Sequence, residues 1–170
     1  MSATNLTART GYSSAQIALH WVIAVLIVCQ FVFSENMASA WDAYRKTPET
    51  PLVSGLPAQA HVWGGLAVLA FAIWRLWLRN TRGVPAAPAE EPAALKLIAH
   101  VTHITLYALM ILMPVTGAML WFGGVGFAAF LHGALRVPLF FLVLLHVLGG
   151  LAQHFWFKTN VLKRIVRPEA

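Results

Sequence analysis

The chain has 170 residues, 59% of them hydrophobic and only 11% charged, with 12 Lys+Arg against 6 Asp+Glu and a net charge of +6. Soluble domains are about 25% charged, so the composition excludes a disordered chain and argues against a water-soluble globule. The basic residues sit at the ends of apolar segments and not along one soluble face. The partner they indicate is therefore the lipid bilayer and not nucleic acid.

The charges leave long gaps. Uncharged stretches of 25 residues lie between Arg9 and Glu35 and between Glu49 and Arg75, one of 39 between Lys96 and Arg136, and one of 21 between Arg136 and Lys158. A membrane-spanning helix needs about 20 mostly apolar residues. The pattern predicts an all-α integral membrane four-helix bundle with helices at about 15–34, 59–80, 94–120 and 134–158. Pro48, Pro51, Gly55 and Pro57 break the chain after the first span, and Gly83, Pro85, Pro88 and Pro92 after the second. Gly123, Gly124 and Gly126 mark a short third connection, so the last two helices are expected to be antiparallel neighbours. Pro114 is expected to kink the third helix.

Orientation follows from the basic residues. One side collects Arg9, Arg75, Arg79, Arg82, Lys96, Lys158, Lys163, Arg164 and Arg167, and the other only Arg45, Lys46 and Arg136. Both termini are therefore expected to face the cytoplasm. Trp21, Trp74, Trp77 and Trp156 are expected to form an inner interfacial belt, and Trp41, Trp63 and Trp121 an outer one. Ala38-Ser39-Ala40 resembles a signal-peptide cleavage site, but a single preceding arginine and an apolar stretch interrupted by His20 and Gln30 favour a retained first span. Cys29, the only cysteine, sits within that span and reads as a small buried hydrophobe.

Seven histidines, His20, His61, His100, His103, His132, His146 and His154, carry the chemistry. Ionisable residues inside spans are costly and face the bundle interior. His132 and His146 are 14 residues apart, which puts both on one helix face roughly 21 Å apart along the axis. His61 lies level with His132 at the outer side, and His20 level with the inner half of the fourth helix. Facing imidazoles make a bis-histidine axial pair suited to six-coordinate haem. Gly64 and Gly65 follow His61 by one turn, as Gly149 and Gly150 follow His146, leaving room for a flat macrocycle or for close helix packing. Arg75, 14 residues after His61, falls on the same stripe at the inner end, where it could meet a propionate or a quinone oxygen. A closed zinc site needs four ligands at one level, and the acidic residues Glu35, Asp42, Glu49, Glu90, Glu91 and Glu169 all fall in predicted loops or tails, against a carboxylate proton relay. A haem-free transporter is disfavoured for the same lack of intramembrane charge.

Several motifs resemble one family. Tyr12-Ser13-Ser14-Ala15-Gln16-Ile17-Ala18-Leu19-His20-Trp21 is similar to the opening of the bacterial cytochrome b561 family, as are His61-Val62-Trp63-Gly64-Gly65 and Arg75-Leu76-Trp77-Leu78-Arg79. Ala99-His100-Val101-Thr102-His103, Tyr107-Ala108-Leu109-Met110 and Met113-Pro114-Val115-Thr116-Gly117 resemble its third helix, and His146 through His154-Phe155-Trp156-Phe157-Lys158 its fourth. The resemblance implies that residues 1–170 form one transmembrane di-haem b unit, with His20 and His146 holding the inner haem iron and His61 and His132 the outer. Depth alone also allows His154 opposite His20, but eight residues beyond His146 put it about 80° off the stripe. His154 is assigned to quinone or propionate contact. His100 and His103 share a face at i, i+3, fitting either a quinone pocket or a structural hydrogen bond. The stretch Phe122 to Ala134 is expected to be a short, glycine-rich outer connection.

The resemblance implies electron transfer across the bacterial inner membrane. The expected activity is superoxide oxidation, with electrons passing from periplasmic superoxide through the two haems to ubiquinone. Arg45, Lys46 and Arg136 lie on the outer side, where they could attract a small anion, although three acids on the same side balance them. The alternative is a haem b anchor subunit exchanging electrons between quinone and a periplasmic dehydrogenase or hydrogenase.

Overall fold

The computed structural model describes residues 10–47, 56–88 and 91–169; Arg9, Pro48, Glu49, Pro51, Gly55 and Glu90 lie outside the described residues. Its elements are all helical: α1 Ser14–Val32, α2 Ser34–Lys46, α3 Leu56–Arg82, α4 Ala93–Gly123, α5 Gly126–Phe155 and the single turn α6 Val161–Arg164. Helices α1, α3, α4 and α5 are each long and apolar enough to cross a bilayer. Most of their large apolar side chains point outward, Val25, Trp63, Trp77, Phe130 and Phe141 among them, as lipid solvation allows.

Capping residues fix where the helices begin and end. Ser13 caps α1 in a reciprocal box with Gln16: Gln16 N–H donates to Ser13 Oγ at 3.4 Å, and Ser13 N–H donates to Gln16 Oε1 at 3.0 Å. The same Gln16 amide donates from Nε2 to the Gly83 carbonyl at 3.0 Å, tying the start of α1 to the end of α3. Gly83 adopts φ +76 there, a conformation that costs a Cβ-free residue nothing.

Two expectations are corrected. The fourth span starts at Gly126 and not near residue 134, so only Gly124 and Val125 separate it from α4. Gly124, in the left-handed region at φ +62, closes α4 in one residue, and the apolar run Phe127–Leu131 then continues as helix between Gly126 and Gly133. The segment after the first span is also not a plain loop. Phe33 N–H closes on the Cys29 carbonyl at 3.0 Å, Ser34 Oγ donates to the Phe31 carbonyl at 2.7 Å, and the chain restarts as the more polar α2. Ala38-Ser39-Ala40 falls inside that helix. Helix α4 runs through buried Pro114 without interruption.

In the bundle α1 packs on α3, α3 on α4 and α4 on α5. Two small clusters hold these contacts: Ile23, Val68, Ala72 and Met110 join α1, α3 and α4, while Leu106, Leu109 and Leu139 join α4 and α5. Among the described residues, no Cα of α5 comes within 8 Å of a Cα of α1 or α3. Directly packed helices lie about 8–10 Å apart axis to axis, so α5 faces α1 and α3 across an interior bridged by side chains. Phe31 and Phe140 meet there edge-on at 5.7 Å. His20, His61, His132 and His146 occupy the rest of that interior.

Both described ends of the chain lie at the same end of the bundle, where Glu169 N–H donates to the Tyr12 carbonyl at 3.0 Å. We call this the terminal end and the opposite one the far end.

Candidate functional site

At the far end, His61 on α3 and His132 on α5 face each other with ring centroids 6.2 Å apart and planes at 69°. At the terminal end, His20 on α1 and His146 on α5 stand 6.0 Å apart at 60°. Imidazole nitrogens bind transition metals at about 2.0–2.1 Å, so two rings on opposite sides of one ion have centroids about 6 Å apart. Both pairs have that separation. Among the described residues no group of three or more His, Cys, Asp or Glu could hold a bare ion. A porphyrin iron, which brings its other ligands with it, suits two facing imidazoles.

The far-end pair is oriented by backbone. His132 Nδ1 lies 2.8 Å from the Met113 carbonyl oxygen, which only an Nδ1–H donor can satisfy, so Nε2 keeps its lone pair for a metal. Thr116 Oγ1 is 3.2 Å from the same nitrogen and itself donates to the Leu112 and Met113 carbonyls. Gly117 makes this approach possible: a Cβ there would stand 3.1 Å from His132 Cε1 and 3.3 Å from Nδ1. Across the pair, Gln30 of α1 braces His61. With its amide nitrogen facing His61, Gln30 reaches the His61 carbonyl at 2.9 Å, and its oxygen accepts from Gly65 N–H at 3.1 Å. Gly64 leaves the space that this amide fills. The sequence reading passed over Gln30 as a mere interruption of an apolar run, although a lone amide inside a span is itself a signal of a partner across the bundle.

A cavity of about 280 Å³ opens between His61 and His132, lined mainly by apolar residues and by Gly65, Gly117 and Gly133. Helix α2 contributes Met37 and Trp41 to it, and Arg136, one turn after His132, also reaches it. Trp41 and Trp121 thus turn to the cavity and not only to an interfacial belt. Lys46 is exposed.

At the terminal end a third ring joins the pair. His103 of α4 packs edge-on against His146 at 5.1 Å and 76°. That is an aromatic contact, about 1 Å too short for two rings sharing one metal. Arg75 donates from Nε to the Tyr107 hydroxyl at 3.0 Å and from Nη1 to the Gln16 carbonyl at 2.6 Å, joining α3 to α4 and α1 just beneath His20. His154 points outward with its ring against Phe155 at 4.9 Å, and His100 is exposed. The structure brings neither into ring contact with the pairs. Of the glycines near His146, Gly149 has open space around a built Cβ, whereas Gly150 seats Leu162 of α6 at 3.5 Å.

The model of the prokaryotic cytochrome b561 family matches residues 11–168. The chain belongs to that family. It is 34% identical over 166 residues to cytochrome b562 of Cereibacter sphaeroides, covering 96% of this chain and 99% of that one. It is also 24% identical over 176 residues to the probable superoxide oxidase CybB of Yersinia pestis, covering 91% and 95%. The protein is accordingly a multi-pass bacterial membrane cytochrome of the haem b type, and its chemistry is electron transfer.

Proposed function

We propose that the protein is a superoxide oxidase of the bacterial inner membrane, holding two b haems and passing electrons from periplasmic superoxide at the far end to ubiquinone at the terminal end. The observation that carries this reading is α5 itself, which presents one histidine near each end, each facing an imidazole of another helix at the bis-ligand separation. In this reading His61 and His132 hold the outer haem and His20 and His146 the inner one. When bound, the two haems supply reversible one-electron chemistry at two depths of the membrane.

The rest belongs to the protein. Hydrogen bonding of His132 Nδ1 to the Met113 carbonyl fixes the ligating tautomer. Met37, Trp41 and Trp121 wall the outer cavity with apolar surface, while Arg136 offers a positive charge to an arriving anion. Arg75 and the exposed His154 are the groups we assign to an inner propionate or to the quinone. The stoichiometry closes: two superoxide ions each lose one electron and leave as dioxygen, and two electrons with two protons convert one ubiquinone to ubiquinol. The excess of basic residues at the terminal end supports a cytoplasmic position for both termini, and the likeness to a probable superoxide oxidase supports the choice of donor.

The test begins with haem content per chain and a reduced-minus-oxidised visible spectrum of the purified protein. Two low-spin b haems are expected, followed by quinol formation when the chain alone is given superoxide and quinone. Two haems with no turnover until a periplasmic dehydrogenase or hydrogenase is added would replace the oxidase by an anchor subunit. No haem, after expression with adequate supply, would remove the reading altogether.

A further inference from the structure

Beyond Phe155 the chain does not trail away. Lys158 reverses it at φ +53, and Thr159 N–H and Oγ1 fasten the turn to the Gln153 carbonyl at 2.9 and 3.1 Å. Helix α6 then lies back across the terminal end of the bundle. Leu162 seats on Gly150, one turn beyond His146. The Ile165 carbonyl accepts from Trp21 Nε1 at 2.9 Å, next to His20. Glu169 reaches the first described residues, accepting from Thr10 N–H at 2.9 Å. The segment is a clasp, anchored beside both histidines of the terminal pair.

Arg164 lies in the middle of this clasp. Its Nη1 donates to the Ala86 carbonyl at 2.8 Å, so the side chain crosses from α6 to the chain between α3 and α4. Its Nε is buried and, among the described residues, stands out as the buried side-chain nitrogen without a hydrogen-bond partner. A charged donor stripped of water and left unpaired is costly. Arg164 cannot relieve that cost by losing its proton, because a guanidinium does not titrate in proteins. A planar fork with a free Nε–H matches a carboxylate or phosphate oxygen. Among the described residues, Glu169 bonds Thr10 and Glu91 bonds Gln153.

We propose that Arg164 is an anion-binding residue whose Nε donates to a propionate carboxylate of the haem held by His20 and His146. The C-terminal clasp thereby closes on the cofactor and sets its charge environment. This rests on the proposed bis-histidine assignment. A cation beside a propionate favours the reduced haem, since reduction adds negative charge nearby.

The experiment is a redox titration of both haems in the full-length protein carrying R164Q or R164K. In R164Q the midpoint of one haem should fall by the equivalent of about a tenfold change in its electron equilibrium, 59 mV for one electron, while the other haem moves by less than about twofold. R164K keeps the charge but not the planar fork, and should shift the same haem in the same direction by a measurable amount, less than half as far. A mere tether to the Ala86 carbonyl would move neither potential. Unmoved potentials in R164Q with both haems retained would overturn the proposal. So would loss of a bound phospholipid in native mass spectrometry with potentials unmoved, because the anion would then be a lipid phosphate. If R164Q does not accumulate as folded protein, R164K alone decides, and an unmoved potential in it overturns the idea. A wild-type protein lacking the inner haem would instead remove the reading on which it rests.

Discussion

Gly117 offers the sharpest test of how the far-end pair is built. An alanine Cβ there would lie 3.1 Å from His132 Cε1 and 3.3 Å from Nδ1. Non-bonded carbons sit best about 3.5–4.0 Å apart, so the ring must retreat by about half an ångström. Its hydrogen bond to the Met113 carbonyl is 2.8 Å long, and a retreat of that size carries it past the ~3.2 Å limit of a good N–H···O bond. Losing the bond that orients a metal-ligating histidine typically costs 10–100-fold in affinity, about 1.4–2.7 kcal/mol. The helix itself gains from the same change, by about 1 kcal/mol in propensity. G117A should therefore fold normally and still lose haem faster. The assay is the rate of haem transfer from detergent-solubilised protein to a haem-scavenging protein, followed by visible absorption. One haem should leave about 10–100 times faster than in the wild type. The partner variant G126A, whose added Cβ meets nothing within 4 Å, should leave both rates unchanged. Equal rates in G117A and wild type would refute the claim that the Met113–His132 contact positions a ligand.

Three further outcomes are expected. H132A should roughly halve the haem-to-protein ratio, and H100A should leave it intact; two haems in H132A would strike His132 from the ligand set. Q30L removes the amide that links α1 to His61 and Gly65 of α3, a loss of about 0.5–1.5 kcal/mol per hydrogen bond; thermal unfolding should shift downward and the outer haem band should broaden, and an unchanged midpoint would show the bridge to be dispensable. Ring planes crossed at 60° and 69°, kept around a bound haem iron, would hold two of its d-orbitals close in energy, so ferric electron paramagnetic resonance should give large-g, strongly anisotropic signals; ordinary rhombic spectra would mean that the rings turn parallel when haem binds.

The four spans were legible because the bilayer imposes a length and forbids charge, and both constraints are written directly in the gaps between Arg9, Glu35, Arg75, Lys96, Arg136 and Lys158. The stripe of His132 and His146 was legible too, since a helix converts a spacing of 14 into a shared face. What failed was local. Residues 126–133 were read as a connection because glycines flank them, whereas in a membrane span glycine is tolerated and backbone bonding keeps the helix intact. Helix α2 was missed because a short, polar helix beside a span has no length signature and depends on contacts of Met37 and Trp41 with the cavity wall. His103 could be placed on a face, but the choice between a quinone pocket and a structural hydrogen bond depends on how α4 is rotated against α5, and so its contact with His146 was not foreseen.

The two ends of the interior are held by different means, which follows from where each pair sits along the chain. His61 and His132 both lie near helix starts at the far end, and their positions are set by neighbouring spans: a carbonyl of α4 for His132 and the Gln30 amide of α1 for His61. His20 and His146 lie where the chain ends converge, and what surrounds them is tertiary. Arg75 fastens α3 to Gln16 and Tyr107, Trp21 holds the tail at Ile165, and Leu162 rests on Gly150. A substitution at the far end therefore acts through one helix–helix contact and should affect one haem. Cutting the C-terminal clasp releases several contacts at once, and should loosen the terminal-end pair while leaving the Met113–His132 and Gln30–His61 bonds in place. Truncation after Thr159, read as selective loss of one haem with the other retained, measures that independence; simultaneous loss of both would show instead that the two ends form a single cooperative unit.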